Sequence, residues 1–215
     1  MKNKSLYPYF LIPPIYLLTF LFAEKHVVDG RFVSYLPLDD KIPFISAFVV
    51  PYVLWYVLIF GVGIYLFKKD HEGFKRYMSF IGISFFSIII LNMLFPNEQN
   101  LRADLTFQEG VFVKAVAFIY SVDTNTNVCP SMHVVGALGA VFSVWQRRLS
   151  KFWRYTLTVL GIFICLSTVF IKQHSLLDVI IAIPYAVGVW IIVNKLIFRK
   201  SFVHQIIYLI SDFPK

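Results

Sequence analysis

Six apolar runs, each near the length of a membrane crossing, limit what this chain can fold into. They cover Tyr7–Ala23, Pro43–Phe67, Tyr77–Phe95, Met132–Trp145, Tyr155–Ile171 and Leu177–Ile197. A helix of about 20 apolar residues crosses the hydrocarbon core. Lone strands cannot, because their backbone groups would go unpaired in lipid. The expected fold is therefore all-α, a polytopic membrane protein built as a six-transmembrane-helix bundle. Composition agrees: 58% of the 215 residues are hydrophobic and 15% charged, and the mean hydropathy is +0.71. Soluble domains are nearer half apolar and a quarter charged, and a fold of this size leaves much of its surface exposed. No composition break or repeat divides residues 1–215, so they read as one domain. The first run follows a basic start but lacks a small-residue cleavage site, and reads as a retained helix.

The net charge of +8 could suggest nucleic acid, but the basic residues lie between the apolar runs, where topology explains them. With the N-terminus cytoplasmic, one face receives 14 of the 20 Lys and Arg residues and the other receives 6. The positive-inside rule then places both termini in the cytoplasm and the loops after the first, third and fifth runs outside the cell or in a lumen, and the plasma membrane is the expected location. The bilayer is the expected partner, with no nucleic acid. Cys129 and Cys165 form neither a disulfide framework nor a ligand pair. The fourth run carries Gly136, Ala137, Gly139 and Ala140, small residues that let helices approach closely in lipid, so it belongs inside the bundle. The longest outer connection, Pro96–Ser131, contains an apolar piece, Val111–Tyr120, too short to span, which reads as amphipathic or re-entrant. The tail Phe202–Phe213 reads as an interfacial helix.

Three polar clusters fall on the expected outer face, between residues 96 and 180. The first is Asn97-Glu98-Gln99-Asn100-Leu101-Arg102. The second is Cys129-Pro130-Ser131-Met132-His133. The third runs from Ser167 through Lys172-Gln173-His174 to Asp178. If the last helix already includes His174, Asp178 lies on the same face one turn on. A carboxylate on one ring nitrogen fixes the tautomer and leaves the other free to attack phosphorus or take a proton. Ser131 at a helix start, with Pro130 in the first turn, offers a hydroxyl and free N–H groups for an anion. His133 beside it can protonate a leaving oxygen. The Arg102 fork suits phosphate oxygens, and Lys172 adds a cation. Ionisable groups at membrane depth are functional candidates by default. This set suits phosphoryl transfer without a metal or other cofactor. Simpler roles stand beside each assignment: a helix cap for Ser131, a backbone bond for Ser167, a snorkelling cation for Arg102, an outer-leaflet anchor for Lys172. Asp123, Asn125, Asn127 and Glu98 read as loop-shaping residues.

At these separations the residues resemble the type 2 phosphatidic acid phosphatase superfamily, whose motifs are Lys-x6-Arg-Pro, Pro-Ser-Gly-His and Ser-Arg-x5-His-x3-Asp. The second appears here as Pro130-Ser131-Met132-His133 and the third as Ser167-Thr168-x5-His174-x3-Asp178, while the first is present only as Arg102. Phe95 and Ala103 stand where the first motif has lysine and proline, Met132 replaces a glycine, and Thr168 an arginine, with Lys172 four positions on as a substitute cation. The resemblance implies His174 as nucleophile, Asp178 orienting it, His133 as general acid, and Arg102, Ser131, Lys172 and Ser167 around the phosphate. It implies a lipid phosphatase acting on a phosphate monoester or pyrophosphate (phosphatidic acid, phosphatidylglycerol phosphate or a polyprenyl pyrophosphate). The Lys-Gln-His and Pro-Ser-Met-His variants are similar to a subgroup that includes the inositol phosphorylceramide synthases, which makes a headgroup phosphotransferase the alternative. A non-catalytic lipid-binding protein is the third reading.

Overall fold

A computed structural model of the chain describes residues 6–25, 31–146 and 149–198. The sequence-predicted interfacial helix at Phe202–Phe213 lies outside them. The described residues are mostly helical, and four helices are long and apolar enough to cross a membrane. These are α3 (Val49–Lys69), α4 (His71–Leu94), α7 (Lys151–Phe170) and α8 (Leu176–Ile192), the first extended by a 3-10 turn over Ser46–Phe48 and the last by a π-helical turn over Val193–Ile197. Shorter helices are α1 (Tyr7–Phe10), α2 (Ile12–Lys25), α5 (Val111–Val122) and α6 (Met132–Trp145).

Two of the six expected crossings thus differ from the sequence reading. The first run divides at Leu11, and Pro13 and Pro14 occupy the first turn of α2, where missing N–H groups are tolerated. The fourth run forms α6 with the expected bounds, but 14 residues rise only about 21 Å, short of the ~30 Å hydrocarbon core. The apolar piece in the outer connection is a 12-residue helix, α5.

Helix α6 is central, packing on α3, α4, α7 and α8. Its small residues make this possible. A β-carbon on Gly139 would fall 2.1 Å from the Phe80 ring, and one on Gly136 2.9 Å from Trp55 Nε1. Large apolar side chains such as Phe60, Ile90, Val159 and Ile183 point outward and stay exposed, as lipid-facing surface requires. The charged side chains of the long helices lie toward their ends, while at mid-bundle Ser84 bonds its own helix backbone and Tyr185 donates to the Ser84 carbonyl at 2.9 Å. At one end the buried Arg76 donates to Asn194 Oδ1 at 3.2 Å and lies 4.9 Å from the Phe198 ring centroid.

The other end is knitted by loops. Strand β1 (Phe32–Val33) pairs in parallel with β2 (Asn97–Glu98). Asn97 is the hub. Its Oδ1 accepts from the N–H groups of Val128 and Cys129, both at 2.8 Å, and its Nδ2 donates to Asn92 Oδ1 at 2.9 Å. Gln99, fully buried, donates to the carbonyls of Lys172 and Gln173. The three polar clusters of the sequence are thereby drawn onto one end of the bundle.

Candidate active site

The start of α8 is built on a capping box. Ser175 caps the helix through a bond from the Asp178 N–H, and the Asp178 side chain accepts from the Ser175 N–H at 3.0 Å. The same oxygen, Oδ2, lies 3.1 Å from His174 Nδ1. The helix begins at Leu176, so His174 lies before it rather than within its first turn. The contact with Asp178 comes from the capping geometry, which the Ser-x-x-Asp pattern encodes, and not from a shared helical face. Ser34 Oγ donates to the other carboxylate oxygen and lies 2.8 Å from Ser175 Oγ. Asp178, Ser34 and Ser175 are fully buried. Asp39 secures the same turn, accepting from the Leu176 N–H at 2.7 Å. With Nδ1 committed to Asp178, Nε2 is the His174 nitrogen left for chemistry.

His133 lies one residue into α6. Its ring stacks on Tyr52 with centroids 4.1 Å apart and lies 4.6 Å from Trp55. The His133 and His174 ring centroids are 6.1 Å apart. Buried His133 Nε2 has no hydrogen-bond partner among the described residues. A buried polar atom without a partner costs roughly 1–3 kcal/mol, and such an atom is expected where something else binds. Both histidines line one cavity of about 510 Å3, together with Tyr52, Tyr56, Asp123 and Gln173. A second cavity of about 510 Å3, lined almost wholly by apolar side chains of α2, α3 and α4, shares Tyr16, Leu17, Trp55 and Tyr56 with it.

The residues expected around phosphate are placed differently from the histidines. Arg102 caps the C-terminal end of α5: its guanidinium donates to the carbonyls of Tyr120 at 2.9 Å and Asp123 at 2.6 Å, and Nε donates to Gln173 Oε1 at 3.1 Å. A cation there meets the negative end of the helix dipole. Burial lowers the Arg102 pKa, and the nearby Asp123 carboxylate opposes that shift. Lys172, at φ 57°, donates from Nζ to the Asp39 carbonyl at 2.8 Å. Ser131 is the N-cap of α6, with Pro130 before the helix rather than in its first turn, and its hydroxyl accepts from the Val134 N–H at 3.5 Å. Ser167 donates back to the Ile164 carbonyl at 2.6 Å. None of these four lines the cavity with the histidines, and no Lys or Arg does so among the described residues.

Gln173 and Asp123 do reach it. Gln173 Nε2 donates to Asp123 Oδ2 at 2.9 Å, and the Tyr52 hydroxyl donates to the same oxygen at 3.4 Å. Nearby, burial and the Asp178 carboxylate push the Cys129 thiol up to about 12. No group of three or more His, Cys, Asp or Glu side chains among the described residues has the arrangement of a metal site. No family model, curated protein or solved structure matches the chain.

Proposed function

We propose that this chain is a membrane lipid phosphatase working through a phosphohistidine on His174. The observation that carries the reading is the pair of imidazoles, 6.1 Å apart on one cavity, one oriented by a buried carboxylate and one with a buried, unpartnered nitrogen. The adjoining apolar cavity between α2, α3 and α4 supports a lipid as the carrier of the phosphate.

In this reading His174 Nε2 attacks phosphorus as the P–O bond to the leaving oxygen breaks, and that oxygen takes a proton from His133 Nε2. Asp178 holds the His174 tautomer and offsets the positive charge that grows on its ring. Water then gives a proton to His133 Nε2 and attacks phosphorus as the P–N bond breaks, releasing phosphate. Six crossings, cytoplasmic termini and an extracytoplasmic site belong to the same proposal, with α2 and α6 as the two short crossings.

A second reading is transfer to an alcohol in place of water. It is favoured by the Asp123 carboxylate on the cavity wall, which can accept from an alcohol hydroxyl. The test is incubation of the purified protein with phosphatidic acid, phosphatidylglycerol phosphate and a polyprenyl pyrophosphate. Release of inorganic phosphate that disappears in His174→Ala supports the phosphatase. A phosphate ester of an added alcohol such as glycerol, formed in place of free phosphate, supports the transferase. Undiminished turnover in H174A overturns both.

A further inference from the structure

The cavity that receives the two histidines is unusual for a phosphate site, because its one charged wall residue among those described is an acid. Asp123 follows α5, and only one of its carboxylate oxygens is used: Oδ2 accepts from Gln173 and Tyr52, while Oδ1 makes no hydrogen bond among the described residues. Arg102 and Lys172, which could balance a phosphate, are held on backbone carbonyls away from the cavity. A carboxylate facing a phosphate would repel it. Its free oxygen instead suits a donor, and a hydrogen bond to a charged acceptor is among the stronger ones available.

The donor class follows from the surroundings. Thr124 and Thr126, whose hydroxyl oxygens are 2.9 Å apart, and Asn127 line the same cavity. These are neutral groups that both give and accept hydrogen bonds, as sugar-like hydroxyls do. The Tyr52 and Trp55 rings are turned to His133 and so add no open face for a cation. Buried His133 Nε2 supplies the independent sign that a polar ligand enters here.

We infer that Asp123 Oδ1 binds a hydroxyl of a polyol, either in the headgroup of the phospholipid substrate or in a free alcohol acceptor, and that it sets selectivity for hydroxyl-bearing partners. This rests on the phosphoryl-transfer reading above and names what lies beside the phosphate. As an acceptor, the polyol replaces water in the second step: its O–H proton passes to His133 Nε2, its oxygen bonds phosphorus, and the P–N bond to His174 breaks.

The experiment compares wild-type protein with Asp123→Ala and Asp123→Asn, each purified in detergent. One arm measures kcat/KM for phosphatidylglycerol phosphate, which has a headgroup hydroxyl, against phosphatidic acid, which has none. The other measures glycerol phosphate formed per inorganic phosphate when phosphatidic acid is turned over in added glycerol. In D123A at least one of these ratios falls about tenfold, the size expected for a lost hydrogen bond to a charged group. A fall confined to the first arm assigns the hydroxyl to the headgroup, and one confined to the second assigns it to the acceptor. D123N keeps an acceptor for Gln173 and Tyr52, and its ratio falls by a smaller factor in the same arm. Equal loss on every substrate, or unchanged ratios in both arms, overturns the inference. Wild-type protein that releases no phosphate and takes no label on His174 overturns the underlying reading instead.

Discussion

Replacing Asp178 with asparagine separates the orienting role of the carboxylate from its charge. Two donors converge on one oxygen of this side chain, His174 Nδ1 at 3.1 Å and the Ser175 N–H at 3.0 Å. An amide at this position must turn its oxygen toward both. Its NH2 group then faces Ser34, whose hydroxyl can rotate to accept from it and donate to Ser175 Oγ, 2.8 Å away. The His174 tautomer is therefore kept in Asp178→Asn. Where an asparagine in a similar role lets the imidazole take the wrong tautomer, about 10^4 in rate is lost. Here the loss is the difference between a charged and a neutral hydrogen bond, about 1–1.5 kcal/mol, or roughly tenfold in kcat. Asp178→Ala instead strands two buried donors at about 1–3 kcal/mol each, lowering the melting temperature as well as the rate. The assay is kcat for phosphate release alongside thermal unfolding in detergent. A D178N protein that keeps its melting temperature yet is as inactive as H174A would refute the argument that Ser175 fixes the amide. One with wild-type kcat would remove Asp178 from the chemistry.

Other expectations concern packing and reactivity. Gly139→Ala forces a β-carbon into the buried Phe80 ring and destabilises the bundle by about 1–3 kcal/mol, whereas Gly188→Ala meets nothing within 4 Å and gains up to about 1 kcal/mol from helix propensity. Melting temperatures moving the same way in both would contradict this. Ser34→Ala leaves the Asp178 carboxylate with one fewer donor and lowers stability by about 1–3 kcal/mol, measurable by the same unfolding assay. The Cys129 thiol, raised from 9.0 to about 12, stays protonated at neutral pH and holds about a thousandfold less thiolate than an ordinary thiol. Maleimide labelling of its peptide at pH 8 is correspondingly slow until the protein is unfolded, and fast labelling of the native protein would contradict the burial.

Much of this architecture was legible because lipid leaves few choices. Apolar run length marked α3, α4, α7 and α8, and the run of small residues marked α6 as the interior helix. The histidines and Asp178 were found from spacing, since ionisable residues beside apolar runs stand out. The cations were harder to place. Arg102 and Lys172 look like phosphate ligands in sequence, but backbone carbonyls released at the end of α5 and in the loop at Asp39 compete for them, and no sequence pattern reports where a carbonyl points. Ser34 and Asp39 lie more than 130 positions from the α8 start they secure, so their role exists only through tertiary folding. Tyr52, Trp55 and Tyr56 carried a usable signal: their spacing puts aromatic rings on one face of α3, the face that holds His133. The Ser175-x-x-Asp178 capping box was a second.

The central claim is tested most directly by rapid quench after brief exposure of the purified protein to a lipid carrying a radiolabelled phosphate. The account requires an acid-labile, alkali-stable label on the peptide containing His174, absent in H174A. A protein that turns over the lipid while His174 never carries the label, or that works equally well without that imidazole, would contradict it.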